Sequence, residues 1–421
     1  MSLHIIDEAK RCLHCKKPQC AKGCPINTNI PEMIKMLLKG EIREAGDMLF
    51  SNNPLSLLCS FVCNHEKQCE GHCVLSRKGQ SVHISTIENY ISNYFLNFPI
   101  QKYTGERKEK IAIIGSGPAG LTISIILAQR GYDITIFESR ERIGGVLRYG
   151  IPEFRLPKTA LEKYTDKLLE LGIKIRPNTV IGHGGLVIDD LFRDGYKAIF
   201  IGTGVWKPNS LGIKGESLGN VHFAINYLKN PDVYHLGQSV IIIGAGNAAM
   251  DVARTVVRKG VRDITVFFIM GEEQLTASKS EVAYAIVEGI KFEYFKSPVE
   301  ITDRGVVFSD TRLIQKVDGS VWYENIENTT QLYEADSVIV SISQGPRNYI
   351  VATTEGLHTD QKGLIVADGA GRTTREGIFA SGDVVSGAKT VVEAVNYSKK
   401  VADSMEQYVI SLRHGKKGKG V

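Results

Sequence analysis

An α/β protein, with two parallel-sheet βαβ units behind a small helical region that carries the cysteines, is the fold class the sequence predicts. Three features predict it. The run IAIIGSGPAG passes from a buried strand through glycines into the apolar helix LTISIILAQR. The same progression returns in the second half of the chain at SVIIIGAGNAAMDVARTVV. All eight cysteines fall between Cys12 and Cys73.

At 421 residues the chain is longer than one hydrophobic core supports, so two or three domains are expected. With 43% hydrophobic and 23% charged residues it has the composition of a globular protein, which sets aside disordered and fibrous classes. A net charge of +5 gives no argument for nucleic acid. The basic tail Arg413, His414, Lys416, Lys417 and Lys419 reads as a solvated, frayed end. No run approaches eighteen apolar residues, and acids stand where a signal peptide would be basic. A cytoplasmic protein without a membrane span is expected. In a reducing compartment, clustered cysteines favour metal binding over disulfides.

In chain order, residues 1–104 form the helical domain, where IPEMIKMLLKGEIREAGDMLF repeats apolar residues at three- and four-residue steps. The first nucleotide domain takes residues 105–230 and 340–421. The second, 231–339, is inserted into it. Near the end, FASGDVVSGAKTVVEAVNYSKKVADSMEQYV reads as a strand, a turn and a closing helix.

Gly115, Gly117 and Gly120, with Ser116, Pro118 and Ala119 between them, form G-x-G-x-x-G at a strand-to-helix turn. Glycines there let the backbone turn tightly and approach a pyrophosphate, while helix N-terminal amides face its charge. Glu138 ends the next strand, DITIFE, where a carboxylate can accept hydrogen bonds from a ribose. Later, Gly382 and Asp383 follow a strand, and Thr390 and Val391 open a helix. These segments together resemble flavin-dependent disulfide-reductase-like proteins. The resemblance implies that Asp383 meets the flavin ribityl chain and that the amides near Val391 face the isoalloxazine.

Gly244, Gly246 and Ala249 form G-x-G-x-x-A after the strand SVIII, with Asn247 and Ala248 between them, and the same phosphate-cradling logic assigns this turn to a nicotinamide dinucleotide. Two such folds in one chain suit hydride transfer between a nicotinamide and a flavin without a side-chain nucleophile, so no catalytic acid or base is named. After the second strand come Ile269, Met270, Gly271, Glu272 and Glu273. A 2′-phosphate needs arginine or lysine at that place, so NADH is favoured over NADPH. Arg258, Lys259 or Arg262 folding back onto a phosphate is the alternative.

The cysteines fall into two groups. Cys12, Cys15, Cys20 and Cys24 read C-x2-C-x4-C-x3-C-P, and Cys59, Cys63, Cys69 and Cys73 follow at steps of four, six and four. Such spacing suits 4Fe-4S clusters, whose fourth ligand often comes from the other group. Structural zinc is the competing reading, although the second group lacks the C-x2-C knuckle that zinc prefers.

The double cysteine group, the flavin fingerprint, GGVLRYGIPEFRLPK from Gly144 to Lys158, GAGNAAMD and GDVVSGAKTVVEAV together look like the glutamate synthase small subunit. They look equally like the N-terminal half of dihydropyrimidine dehydrogenase and its separate bacterial NAD-dependent subunit. The resemblance spans nearly the whole chain with its motifs in order. It implies FAD and two interleaved 4Fe-4S clusters: one on Cys12, Cys15, Cys20 and Cys73, the other on Cys24, Cys63, Cys69 and Glu88. Cys59 would be a buried non-ligand thiol. It also adds Gly145, Val146, Leu147, Arg155 and Gly345 to the cofactor contacts. Relatives that use NADPH carry two arginines where this chain has Ile269 and Met270. No FMN barrel or amidotransferase region is present.

The function implied is an electron-input subunit, passing electrons from NADH through FAD and the clusters to a larger catalytic redox subunit or a ferredoxin, within a hetero-oligomer. A stand-alone ferredoxin-type oxidoreductase and a bifurcation-complex subunit are variants of it. A disulfide reductase would need a C-x-x-C beside the flavin, and the only one, Cys12/Cys15, lies outside both nucleotide domains. A non-catalytic assembly module would not oxidise NADH.

Overall fold

The computed structural model describes residues 2–315 and 321–417. The chain divides into two compact units. The first holds the chain up to Arg148, Glu153–Val205 and the chain from Gly345 onward, and the second holds Trp206–Gln344 with Tyr149–Pro152.

The first unit is built on a parallel sheet in the order Ile378–Ala380, Ala198–Ile201, Lys110–Ile114, Asp133–Phe137, Lys174–Arg176. Ile111, Ala112 and Ile113 in its central strand are fully buried, which is why the sequence there is continuously apolar: helices cover both faces. Helix Pro118–Gln129 packs against the last helix, Val391–Lys417. That helix is not frayed where the basic tail begins, because the Arg413 guanidinium is held by the Glu109 carboxylate. Lys419 lies outside the described residues.

The N-terminal helices belong to the same unit. Helix Ile30–Leu38 buries Ile30, Met33, Ile34 and Leu37, one stripe at helical spacing, against Leu49 of Ile42–Asn52 and Ile87 and Ile91 of Ile84–Phe95. Lysines on two nucleotide-domain helices clasp this bundle. Lys163 Nζ donates to Asn93 Oδ1 at 2.7 Å and Asn97 Oδ1 at 2.8 Å, Lys167 Nζ to the Phe98 carbonyl at 2.7 Å, and Lys399 Nζ to the Asn52 carbonyl at 2.6 Å.

The second unit has its own parallel sheet, ordered Val221–Phe223, Ser337–Val340, Ser239–Ile243, Asp263–Phe267, Lys291–Glu293, and an antiparallel sheet built around the long strand Gly305–Gln315. Phe267 stacks on Phe308 with ring centroids 4.1 Å apart, joining the two sheets. The domain boundary differs from the sequence expectation. Val221–Phe223 pairs in parallel with Ser337–Val340, and Ala224 and Tyr227 pack into the core with Leu236 and Ile242, so this unit starts at Trp206 instead of 231. An edge strand upstream of the glycine turn carries no fingerprint of its own.

Among the described residues no helix is long and apolar enough to cross a membrane.

Candidate cofactor and cluster sites

At the first glycine turn each glycine meets a different constraint. Gly115 takes φ +95°, and a Cβ on it would stand 2.7 Å from the Gly202 carbonyl oxygen. A Cβ on Gly120 would lie 2.0 Å from the Gly115 carbonyl oxygen, so helix and strand close there only without a side chain. A Cβ on Gly117 would meet nothing within 4 Å. That open face lies at the start of helix Pro118–Gln129, which no side chain caps, an arrangement that fits a pyrophosphate.

Two further segments converge on the turn. A Cβ on Gly145 would lie 2.8 Å from Gly117 Cα, and one on Gly382 3.1 Å from Ala119 Cβ. Leu147 is wholly buried, Val146 and Arg155 are half-buried, and Gly345 lies in the two-residue strand Gln344–Gly345. Asp383 accepts from the Lys389 amide at 3.2 Å. Its carboxyl is pushed up to about 6, chiefly by burial and also by Glu393. Thr390 caps the last helix in a reciprocal box: its amide donates to Glu393 Oε2 at 3.0 Å, and the Glu393 amide returns to Thr390 Oγ1 at 3.4 Å.

Glu138 is buried and already engaged. Its Oε2 accepts from the Ser116 amide at 3.0 Å and from the Ser116 hydroxyl, and its Oε1 from the Arg140 amide at 2.9 Å and the Ser139 hydroxyl at 3.2 Å. A ribose reaching this carboxylate must therefore displace one of the two serine hydroxyls, since each oxygen has two lone pairs.

In the second unit, Gly244 takes φ +118° with a Cβ position 2.3 Å from the Ser341 carbonyl oxygen, while the nearest atom to a Cβ on Gly246 is Thr276 Oγ1 at 3.5 Å. Ala249 is fully buried and Ala248 exposed. The Asn247 side chain is turned inward: its Oδ1 accepts from the Ser278 amide at 3.0 Å and ties the following loop to the helix start. Thr276 and Ser278 therefore border the turn. Nothing local in the sequence marks them, since they arrive from the loop beyond the second strand. Of the cations considered for a 2′-phosphate, Arg258 pairs with Glu288 at 2.7 Å and Lys259 with Asp232, while Arg262 is exposed.

The cysteines sort into two places. Cys12, Cys15, Cys20 and Cys73 line one small cavity, walled by Ile30, Ile34, Val82 and Ile84. Burial and the neighbouring thiols Cys73, Cys12 and Cys15 push the Cys20 thiol up to about 11. A zinc site needs four donors within about 2.3 Å of one point. Among the described residues no three Cys, His, Asp or Glu side chains are placed to hold a metal ion.

Cys24, Cys59, Cys63, Cys69 and Glu88 gather in the second place. The Cys69 thiol is pushed up by burial, by Glu88, by Glu70 and by Cys24, and the Cys63 thiol by a hydrogen bond with Cys59, by burial and by Glu88. Desolvation and Glu70 raise the Glu88 carboxyl to about 8. Cys24 Sγ donates to Thr28 Oγ1 at 3.4 Å. Cys59 is buried and stands among these groups, so spacing and burial alone leave it beside Glu88 as a donor. Tyr164, fully buried on helix Lys158–Glu170, sits close enough to Cys59 and Glu88 for both to raise its hydroxyl. That tyrosine was not legible beforehand, because ninety-odd residues of sequence separate it from the cysteines.

Two parallel sheets, each with a glycine turn at the head of an uncapped helix, define a two-nucleotide oxidoreductase fold. The comparisons agree with that class. Residues 109–398 match the family described as pyridine nucleotide-disulphide oxidoreductase, and residues 2–99 match dihydropyrimidine dehydrogenase domain II, 4Fe-4S cluster. The glutamate synthase [NADPH] small chain of Halomonas elongata is 33% identical over 96% of this chain and 90% of its own length. The NAD-dependent dihydropyrimidine dehydrogenase subunit PreT of Salmonella typhimurium is 30% identical over 97% and 95%. In fold, the Mycobacterium tuberculosis FprA structure in complex with NADPH superposes with a TM-score of 0.66 at 16% identity, covering 74% of this chain and 86% of that one. The chain belongs to the family of glutamate synthase small chains and dihydropyrimidine dehydrogenase PreT subunits, FAD-dependent NAD(P)H oxidoreductases with an N-terminal 4Fe-4S domain.

Proposed function

We propose that this protein is the electron-input subunit of a larger redox enzyme, taking electrons from NADH and delivering them to a catalytic partner. When bound, FAD accepts a hydride from the nicotinamide and two 4Fe-4S clusters carry its electrons singly. The chain's own residues bind and orient these groups. In this reading the Gly115–Gly120 turn and the uncapped helix behind it hold the pyrophosphate of FAD, with Glu138 at a ribose and Asp383 at the ribityl chain. The Gly244–Ala249 turn holds the nicotinamide dinucleotide. Cys12, Cys15, Cys20 and Cys73 hold one cluster, and Cys24, Cys63, Cys69 and Glu88 the other.

The observation that carries the reading is the meeting of Cys73 with Cys12, Cys15 and Cys20 around one cavity. Thiols from two distant segments meeting at one cavity, in a region that matches a 4Fe-4S domain, support a cluster better than zinc. Preference for NADH is supported by Ile269 and Met270 at the strand end and by the acids that hold Arg258 and Lys259. The test is purification without oxygen, followed by iron, sulfide and flavin analysis and electron paramagnetic resonance after adding NADH. About eight iron atoms and one FAD per chain, with cluster signals that appear on NADH addition, are expected. Protein with flavin but no acid-labile sulfide would refute it.

A further inference from the structure

Two of the three chain segments that frame the first cysteine cavity carry no acid, and the third, which lines it through Ile30, Pro31 and Ile34, holds Glu32 paired with Lys35. Between Glu8 and Glu32 there are Lys10, Arg11, Lys16, Lys17 and Lys22, and between Glu70 and Glu88 there are Arg77 and Lys78. Both segments line the cavity, the first through Cys12, Leu13, Cys15, Gln19 and Cys20 and the second through Cys73, Val74, Leu75, Val82 and Ile84. Arg11 ties them together, its Nη1 donating to the Ser81 carbonyl at 3.0 Å and its Nη2 to the Gln80 carbonyl at 2.5 Å. Lys10 and Arg11 are paired with Asp7 and Glu8. Lys16, Lys17, Lys22, Arg77 and Lys78 are exposed, and among the described residues they make no ion pair. Leu13, on the cavity wall, is 62% exposed.

A chain with 51 basic and 46 acidic residues has no general excess that would produce such a face. One-signed charge around an opening raises the local concentration of oppositely charged partners and speeds their encounter. Solvated cations at the surface, screened by water and salt, act only weakly on a group held beneath them, so adjusting the cluster is the poorer explanation. We infer that the exposed cations on these two cavity-lining segments, with Leu13 as their apolar contact, form the docking face through which the protein hands electrons to an acidic-faced redox protein or subunit. Such a partner places its own acceptor against the cavity mouth. The inference rests on the proposed function, since a docking face here requires that electrons arrive at this cavity.

NADH-driven reduction of three acceptors tests it in the holoenzyme: a small acidic ferredoxin, the basic protein cytochrome c, and an uncharged quinone dye. The ferredoxin should be reduced fastest at about 20 mM salt, with kcat/KM falling about tenfold or more by about 300 mM. The double variant Lys17→Glu/Lys78→Glu, one change on each segment, should lower kcat/KM for ferredoxin at least tenfold and leave dye reduction and the reduced-cluster resonance unchanged. Ferredoxin reduction that is indifferent to salt and to the double variant, or no faster than that of cytochrome c, would overturn the docking face. If NADH reduces no cluster in the unaltered protein, the relay itself fails and this inference falls with it.

Discussion

The two nucleotide turns and the two cysteine sites are built in opposite ways. Each turn is a short contiguous stretch in which strand, glycines and helix follow one another, so its geometry is set within about ten residues of chain. The cysteine sites are assembled from segments that lie far apart in sequence, with Cys73 closing a site begun at Cys12 and Cys24 joining Cys63, Cys69 and Glu88. A local site can be read from spacing because the backbone itself imposes the geometry. An interleaved site exists only once Ile30, Ile34, Val82 and Ile84 have packed and brought its donors together.

That contrast is easiest to break at the cysteines. Cys73→Ala should abolish the first cluster although its other three donors remain, removing one set of resonance signals and about half the iron, with protein-acceptor reduction down more than about a hundredfold and dye reduction retained. Retention of full iron content would mean the Cys12–Cys24 group ligates by itself, and the difference between local and assembled sites would vanish.

The second site sharpens the same point. Glu88→Ala should alter one cluster's resonance spectrum, whereas Cys59→Ala should leave both spectra intact. The reverse pattern would hand the fourth position to Cys59 and make the site a set of thiols alone.

At the turns, two glycines three positions apart should behave differently. Gly120→Ala drives a methyl against the Gly115 carbonyl and should cost about 3 kcal/mol of stability in thermal or urea unfolding. Gly117→Ala meets no protein atom, so stability should stay within about 0.5 kcal/mol while flavin content collapses. Equal destabilisation by both would show that the open face is not kept open for a ligand.

Asp383 gives a smaller, pH-dependent effect. Its folded carboxyl titrates near 6, above its ordinary value of 3.8, so the folded protein holds the proton that the unfolded chain has already released. The contribution to stability is complete below about pH 4 and is lost as pH rises through 6, about 3 kcal/mol in all for the flavin-free protein. Asp383→Asn should flatten that slope in unfolding measured from pH 4 to 7. A slope unchanged by the substitution would place the titration elsewhere.

The mildest change is at the nicotinamide side. Ile269→Arg/Met270→Arg should shift the kcat/KM ratio toward NADPH by about tenfold, the scale of one or two charge-assisted contacts to a 2′-phosphate. An unmoved ratio would mean the strand end is not beside the adenosine ribose.

The sequence by itself determined the α/β class, the two glycine turns and the helical cysteine region, because apolar periodicity and glycine spacing act within single elements. The interleaved cluster assignment was implied by family resemblance, while spacing left zinc and an all-cysteine arrangement open. Only the tertiary structure brought Cys73 to Cys12, set Cys59 beside Cys63, placed Tyr164 near Cys59 and Glu88 and moved the domain boundary to Trp206. Those facts depend on which buried surfaces meet after the chain has closed long loops, and no local pattern encodes that. The same holds for Glu138: its position at the strand end is written in the sequence, but the serine hydroxyls that occupy it are not. Hydrogen-bond partners are chosen by whatever the fold brings within reach, because a buried carboxylate must be satisfied by some donor.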